Sequence, residues 1–324
     1  MISILIAEPD RFSPEAVELL ETFAIVVCRA TPQAEMCAAL GQFDVVWLRL
    51  GLRLGAADLP AAPRCRAVVS ATTGLDHLDL PALAARGITV LSLKGRREFL
   101  RQIRGTAELT VALLLALLRH LPPALAAVRG GEWNRDDFRG HEVFGKTAGI
   151  IGCGRLGSIV ASYLHAMGAQ MLAFDPHAVL TEPHVTQVTA LDELLARSDI
   201  VSLHADLNDS SRGLLGPREF ARMKPGAVLV NTARGELLNE SALLDALRSG
   251  RLVGAAVDVV CGEPAVTAAH PLIAYAAAHE HLLITPHLGG GTVESMPRCE
   301  HFLAGLLREW IAAGGSAAAN ACPP

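Results

Sequence analysis

Short apolar runs alternate with helix-like stretches over the first hundred residues of the chain. The runs are ISILIA, AIVV, DVVWL, AVVS and ITVLSL, at residues 2–7, 24–27, 44–48, 67–70 and 88–93. The stretches between them, such as PEAVELLETF and DLPALAARG, carry apolar residues at helical spacing. Because apolar runs bounded by turns are typical of buried parallel strands, this alternation predicts a small α/β domain.

A continuous apolar stretch then predicts one long helix over residues 100–121, stopped by the Pro-Pro pair that follows. Since its apolar residues run all round, this helix is expected to be buried, either between two domains or at a contact between subunits. The chain of 324 residues is too long for one ordinary core. We predict a first domain over 1–99, completed by a last helix within 291–324, and a second domain over 100–290. The tail AAGGSAAANACPP is expected to fray.

The segment GKTAGIIGCGRLGSIVASYLHAMGAQMLAFDPH (145–177) predicts a strand, a glycine-rich turn, a helix and a second strand. Its G-x-G-x-x-G turn includes Gly152, Gly154, Arg155, Leu156 and Gly157. In this context the glycines allow a tight turn, close approach of the backbone to a pyrophosphate, and close packing of helix on strand. The helix amino terminus favours an anion. The pattern predicts a dinucleotide-binding domain, and a glycine-rich turn of an unrelated α/β protein is the alternative.

Asp175 ends the second strand of this segment, 18 positions after Gly157. That is near the ~20 positions expected for the acid that binds the adenosine ribose hydroxyls. Its charge would repel a 2′-phosphate, and the next two residues are neither Arg nor Lys, so the sequence favours NAD over NADP. His177 keeps NADP as an alternative, because a protonated imidazole can bind a phosphate.

Three further apolar runs each lead to a charged or titratable residue. The runs are AVLVNTARG (227–235), GAAVDVVCGEP (254–264) and LLITPHLGG (282–290). Ligands of open α/β sheets bind outside the carboxyl ends of the strands. Arg234, Glu263 and His287 are therefore predicted to form a catalytic site that holds an anionic substrate and moves a proton. Taken singly, each has a structural explanation: a helix cap for the arginine, a turn for the glutamate, and a core position for the histidine.

Composition narrows the class of protein. Hydrophobic residues make up 51% of the chain and the formal net charge is −5, which favours a well-buried globular protein without general nucleic-acid affinity. The seven cysteines show no paired spacing, as expected for free thiols in a reducing cytosol. No apolar stretch is long enough to span a bilayer. We expect a soluble cytoplasmic protein that does not act on membranes and has no metal site.

These motifs resemble those of the D-isomer-specific 2-hydroxyacid dehydrogenases. The matching segments are GIIGCGRLG with Asp175, MKPGAVLVNTARGELLNESALLDALRSGRLVGAAVDVVCGEP (223–264) and TPHLGG (285–290). The resemblance is close from about residue 106 to 290 and looser before it. It implies an α/β protein of two domains, a Rossmann-type doubly wound parallel sheet and a smaller flavodoxin-like substrate domain. It also implies a homodimer, with the helix near 100–121 at the interface.

The resemblance implies roles residue by residue. Arg234 would grip the substrate carboxylate and carbonyl, His287 would act as the acid and base, and Glu263 would orient it and favour its charged form. In the first domain, backbone N–H groups of the loop SATTGLDH, chiefly those of Thr73 and Gly74, would receive the substrate carboxylate. Asp258 would lie near the nicotinamide carboxamide. Further contacts to NAD would come from Thr106, His204, Thr232, Ala233, His287 and Gly290.

Departures from the family pattern leave the substrate open. Thr72 stands where many members have glycine. Asp206, two residues after His204, stands where the family usually has proline. The stretch LKGRREFLRQIRGTAE replaces the commoner entry to the long helix. Its basic residues are either a solvated segment or the rim of an anion-attracting cleft. Arg49 either contacts a substrate phosphate or lies on the surface.

The expected reaction is hydride transfer between nicotinamide and C2 of a small D-2-hydroxy acid or 2-keto acid. A 3-phosphoglycerate-like acid and glyoxylate or hydroxypyruvate are the candidate substrates. Formate is disfavoured, since the branch that oxidises it carries Gln where Glu263 stands. The alternative of a different class is a non-catalytic NAD(H)-sensing protein of the corepressor type, and turnover of a 2-keto acid would separate the two.

Overall fold

A computed structural model describes residues 1–315, so the predicted tail lies outside the described residues from Ser316 onward. The chain forms two compact units, one of Met1–Ile103 together with the residues from Thr292, the other of Arg104–Gly291. The predicted boundaries differ from these by four residues at the first and by one at the second.

The first unit is built on five parallel strands. They are β1 (Ile2–Ile6), β2 (Ala24–Cys28), β3 (Val45–Leu48), β4 (Ala67–Ser70) and β5 (Thr89–Ser92). The helices are α1 (Pro14–Glu21), α2 (Met36–Gln42), α3 (Leu80–Ala85), α4 (Arg97–Leu100) and α12 (Ser295–Ala312). The sheet order is β2-β1-β3-β4-β5, which is the flavodoxin-like order and confirms the predicted fold of this unit.

The second unit is a doubly wound sheet of seven parallel strands. They are β6 (Thr147–Ile151), β7 (Gln170–Phe174), β8 (Val185–Gln187), β9 (Ile200–Leu203), β10 (Ala227–Asn231), β11 (Leu252–Val257) and β12 (Leu282–Ile284). The helices are α5 (Gly105–Leu118), α6 (Leu121–Arg129), α7 (Arg155–Ala166), α8 (Leu191–Arg197), α9 (Pro217–Arg222), α10 (Glu240–Arg248) and α11 (Pro271–Ala276). The order β12-β11-β10-β9-β6-β7-β8 reverses direction between β6 and β9, which is where Rossmann-type sheets bind nucleotides.

Both faces of each sheet are covered, which explains why the strands are continuous apolar runs rather than alternating ones. In β10, Leu229 belongs to the core on one face, whereas Val228 and Val230 belong to the core on the other. In the first unit, Trp47 of β3 and Trp310 of α12 share one core. The last helix, which begins at Ser295, therefore completes the first unit as predicted.

The single long helix predicted over 100–121 is wrong. Three helices occupy the region: α4, α5 and α6. Gly105 stands at the first position of α5, where its low propensity for helix interiors matters little. At the other end His120 adopts a left-handed conformation (φ 49°), and the prolines lie in the first turn of α6 instead of stopping α5. A first turn needs no N–H donor from proline, so the pair starts a helix there.

No single helix among residues 1–315 has the length and apolar character needed to cross a membrane. One bent combination, Arg97–Leu118 with Leu121–Arg129 at an angle of 64°, passes the same criterion by length and composition.

Candidate active site

The three residues predicted to form the site follow strands that are neighbours at one end of the second sheet. Arg234 lies beyond β10, Glu263 beyond β11 and His287 beyond β12. All three strands are parallel, so these residues leave the sheet at the same edge.

Glu263 and His287 form a direct pair. The distance from Nδ1 of His287 to Oε2 of Glu263 is 3.0 Å, and the side chains are 24% and 21% exposed. An ionised carboxylate only accepts hydrogen bonds, so Nδ1 carries the proton in this pair. The imidazole is thereby oriented with Nε2 directed away from Glu263, as a general acid or base requires.

His287 sits in a turn that Asp258 builds. The backbone of His287 is left-handed (φ 54°), a conformation that costs energy in a non-glycine residue and persists only where the surroundings hold it. The buried carboxylate of Asp258 accepts hydrogen bonds from the N–H groups of Leu288 (2.7 Å) and Gly289 (2.8 Å) and from the hydroxyl of Thr285 (2.6 Å). Its carbonyl accepts the N–H of His287 at 2.8 Å. Asp258 therefore positions the histidine, and its expected contact with nicotinamide stays a prediction.

Two threonines bring the start of α5 to this region. A Cβ at Gly289 would lie 3.1 Å from Oγ1 of Thr106, so the histidine turn packs closely on that threonine. One helical turn later the hydroxyl of Thr110 bonds the carbonyl of Thr106 at 2.7 Å and the hydroxyl of Thr232 at 2.8 Å. Thr106 and Thr232 are thus joined through Thr110, which the sequence did not indicate because hydroxyl networks leave no periodic pattern.

The turn that carries Arg234 is shaped by a buried asparagine, Asn231, which the sequence analysis also missed. Its side chain donates to the carbonyl of Arg234 at 2.8 Å and accepts the N–H of Ala233 at 3.0 Å. Both ends of the amide are used, which fixes the direction in which the arginine leaves the strand. The guanidinium Nη1 donates to the carbonyl of Ala233 at 2.7 Å.

The glycine-rich turn after β6 meets the requirements of a pyrophosphate site. A Cβ at Gly152 would lie 2.6 Å from the nitrogen of Ala205, and one at Gly157 would lie 2.2 Å from the carbonyl oxygen of Gly152. Gly154 faces open space and starts α7 without a side-chain cap. Two glycines are therefore needed for packing, while the third leaves room at an uncapped helix terminus, which attracts anions. Arg155 and Leu156 form the first turn of α7.

Asp175 and His204 lie on loops that flank this turn. The carboxylate of Asp175 accepts the N–H groups of Cys153 and His177, both at 3.0 Å, so it is fixed at the end of β7 where ribose hydroxyls are expected. His204 follows β9, its Nε2 lies 2.8 Å from the Ser202 hydroxyl, and burial lowers its pKa to about 4. The imidazole is thus neutral near pH 7. Gly290, the remaining predicted contact, is exposed just beyond the histidine turn.

Residues that fit a bound NAD are therefore grouped in the second unit, whereas a metal ion has no comparable set. Among residues 1–315, no three His, Cys, Asp or Glu side chains are arranged to hold a metal ion.

In the first unit, Thr73 and Gly74 lie in a loop after β4 that Thr72 stabilises. The Thr72 hydroxyl donates to the carbonyl of Gly74 at 2.8 Å and lies 3.0 Å from the hydroxyl of Ser70. Within residues 1–315, the N–H groups of Thr73 and Gly74 donate to no protein acceptor. The loop therefore keeps two donors available, as the predicted carboxylate contact requires.

Arg49 makes contacts within the first unit that neither interpretation of the sequence predicted. Its guanidinium forms an ion pair with the fully buried Glu300 of α12 and donates to the carbonyl of Asp10 at 2.8 Å. It also lies over the ring of Phe12. Arg49 is thus 19% exposed and joins α12 to the sheet, which corrects the surface reading. Its contact with a substrate phosphate stays a prediction.

Comparison with known proteins connects this geometry to one family. Residues 111–289 match the family model described as "D-isomer specific 2-hydroxyacid dehydrogenase, NAD binding domain". The chain is similar to the D-3-phosphoglycerate dehydrogenase of Mycobacterium tuberculosis, with 36% identity over 94% of this chain and 56% of the relative. It therefore spans about half the length of the curated relatives it matches.

Two solved structures are similar over nearly the whole chain. The TT0316 protein from Thermus thermophilus has a TM-score of 0.85 at 30% identity, covering 96% of this chain and 97% of that one. A glyoxylate reductase from Paecilomyes thermophila has a TM-score of 0.81 at 28% identity, covering 97% and 96%.

Proposed function

This chain belongs to the D-isomer specific 2-hydroxyacid dehydrogenase family, and on that premise we propose that it interconverts a small D-2-hydroxy acid and its 2-keto acid with NAD(H). The observation that carries the proposal is the Glu263–His287 pair, held on a turn built by Asp258, in the same sheet as the glycine-rich turn. A structural histidine has no need of a carboxylate partner on one ring nitrogen and a strained backbone together.

Each residue has a defined task in reduction of the keto acid. When bound, NADH supplies the hydride that C2 accepts. His287 donates the proton that the carbonyl oxygen then needs, and Glu263 holds the imidazole in place through Nδ1. Arg234 presents a planar fork that matches a carboxylate, which orients the keto acid for attack. In the direction of oxidation, His287 accepts the hydroxyl proton instead.

The preferred cofactor is NAD rather than NADP. Asp175 is held by two backbone N–H groups and cannot turn away from a 2′-phosphate without losing both hydrogen bonds. Its charge favours hydroxyl groups as partners and repels a phosphate.

For the substrate, a 2-keto acid with a second anionic group, such as a phosphorylated one, is favoured over glyoxylate. The support comes from the basic turn, defined as Lys94, Arg96 and Arg97, which follows β5 beside the Thr72 loop. The N–H of Leu93 donates to the carbonyl of Thr72 at 3.0 Å, so this turn is fastened to the loop with the two available donors. Positive charge at the carboxyl edge of a parallel sheet is suited to an additional anion.

The test is NADH consumption by the purified protein with a panel of 2-keto acids: glyoxylate, pyruvate, hydroxypyruvate and phosphohydroxypyruvate. Phosphohydroxypyruvate is expected to give the highest kcat/KM. Lys94→Ala and Arg97→Ala should raise its KM without changing that of hydroxypyruvate. Arg101→Ala is the control, because Arg101 is paired with Glu98 at 3.1 Å. Equal KM values for both substrates in every variant would contradict the second anion site.

Silence across the panel with intact NADH binding would instead favour an NAD(H) sensor. The relatives named above do not support that alternative, since they are a dehydrogenase and a reductase.

A further inference from the structure

Glu240 connects the two turns that carry the candidate catalytic residues. It is the first residue of α10, just after the Arg234 turn, and its side chain is 15% exposed. One carboxylate oxygen, Oε1, accepts the backbone N–H of Cys261 at 2.7 Å. The other, Oε2, lies 3.3 Å from Nε2 of His270, which precedes α11. A single carboxylate therefore links α10, the loop after β11 and the start of α11.

The Cys261 N–H is a sensitive point because it stands two residues before Glu263. Gly262, between them, has a left-handed backbone (φ 82°), so the chain turns sharply there before it presents Glu263 to His287. A shift of the Cys261 peptide would move the glutamate by a similar amount. The Glu263–His287 distance of 3.0 Å leaves little tolerance for such a shift.

The same peptide is contacted from the opposite loop. A Cβ at Gly235, the residue after Arg234, would lie 2.2 Å from the carbonyl carbon of Val260 and 2.5 Å from the nitrogen of Cys261. The arginine turn thus lies directly on the backbone that leads to Glu263. The Val260–Cys261 peptide therefore contacts the Arg234 turn and leads into the Glu263 turn, and its N–H is bound by Glu240.

We assign no role in the reaction to the side chains of Cys261 and His270, which lie next to Glu240. Burial, followed by the charge of Glu240, raises the pKa of the Cys261 thiol to about 12, so the thiol stays protonated and is a poor nucleophile. The second ring nitrogen of His270, Nδ1, is buried without a hydrogen-bond partner among the described residues. His270 contacts Glu240 through Nε2, at the carboxylate oxygen that Cys261 does not use.

We propose that Glu240 is a positioning residue for the reaction. It fixes the backbone of the Glu263 turn so that Glu263 and Arg234 are both directed at the substrate. This inference rests on the proposed function. It predicts that loss of the Glu240 carboxylate lowers kcat by about 10- to 100-fold, the cost of a misplaced catalytic group. The affinity for NADH should change little, because the glycine-rich turn and Asp175, the expected pyrophosphate and ribose sites, follow β6 and β7 rather than β10 and β11.

The experiment compares three variants in α10. Glu240→Ala removes the acceptor for Cys261, whereas Glu240→Gln retains an oxygen for it and should keep most of the activity. Asp245→Ala is the matched control, since Asp245 is an exposed carboxylate on the same helix. A loss of kcat in Glu240→Ala alone, with NADH affinity preserved, supports the proposal. Unchanged kcat, or equal losses in all three variants, overturns it.

A second measurement does not depend on turnover. The His287 Nδ1 proton bound to Glu263 should give a downfield ¹H NMR resonance that disappears in His287→Asn. In Glu240→Ala this resonance should shift or broaden, while Asp245→Ala leaves it in place. If the protein turns over no 2-keto acid, the proposed function fails but this test still decides the positioning role. An unshifted resonance in Glu240→Ala would refute it.

Discussion

Asp258 and Asn231 hold the two turns that carry His287 and Arg234, a role that the sequence pattern alone does not reveal. Asp258 gathers three hydrogen bonds from the His287 turn, and Asn231 uses both ends of its amide on the Arg234 turn. Each is buried, and each acts on backbone rather than on substrate. The reactive side chains therefore owe their directions to neighbours whose role is visible only in three dimensions.

In the glycine-rich turn, one glycine is needed for packing and another for NADH binding, so single substitutions can test the two roles separately. Gly157→Ala should lower the unfolding free energy by about 1–3 kcal/mol, because its Cβ would meet a backbone oxygen at 2.2 Å. Gly154→Ala should leave stability unchanged, since nothing lies within 4 Å, yet weaken NADH binding at least tenfold by filling the pyrophosphate space. Thermal unfolding and NADH titration measure the two effects. Normal NADH affinity in Gly154→Ala would contradict the assigned site.

His204 predicts a pH dependence of stability. Burial lowers its folded-state pKa from 6.5 to about 4. Between those values the unfolded chain binds a proton that the folded chain does not, so stability falls as the pH falls. The contribution is at most about 3 kcal/mol. Urea unfolding at pH 7, 5.5 and 4 should show a smaller acid loss in His204→Gln than in the natural chain. Equal slopes in both would be inconsistent with a buried neutral imidazole.

At the scale of elements, α12 is attached to the first unit by charge as well as by apolar packing. Glu300 is fully buried and accepts both the Arg49 guanidinium and the N–H of Ser13, at 2.7 Å. Leu303 and Trp310 fill the core beside them. A helix distant in sequence thereby becomes part of the amino-terminal sheet unit.

Breaking this ion pair should be costly. Arg49→Ala leaves Glu300 as a buried charge without its partner, and we expect a loss of about 3–5 kcal/mol in unfolding free energy. Arg64→Ala, which removes an exposed partner of Asp44, should cost far less, because solvent screens a surface ion pair. Denaturant titration of both variants checks the difference. Comparable losses would mean that the Arg49 pair contributes no more than a surface one.

At the scale of the whole molecule, apolar runs were sufficient to predict two parallel sheets and the strands that carry Arg234, Glu263 and His287. Strands buried on both faces leave a continuous apolar signal, and parallel topology then fixes where their ends meet. The helices at 97–129 were mispredicted, because an apolar stretch does not show a break and prolines both stop and start helices. Hydrogen-bonded positions such as Glu240 leave no pattern at all.

A homodimer is the assembly we propose. Helix α6 exposes an apolar stripe of Leu121, Leu125 and Val128, which are 44%, 58% and 52% exposed and spaced to share one side. A second copy covering this stripe would give a mass twice the 34.2 kDa of one chain in light scattering. Leu125→Asp with Val128→Asp should yield the monomer, whereas Val179→Asp at an unrelated exposed site should not. A natural chain that is monomeric at tens of micromolar would exclude this interface.

His287→Asn, assayed with the best keto acid of the panel and by NADH titration, is the most direct test of the proposed reaction. NADH affinity should be retained while kcat falls at least a hundredfold, since the proton donor is removed. Turnover within a few-fold of the natural chain would contradict the assignment of His287 as the acid and base.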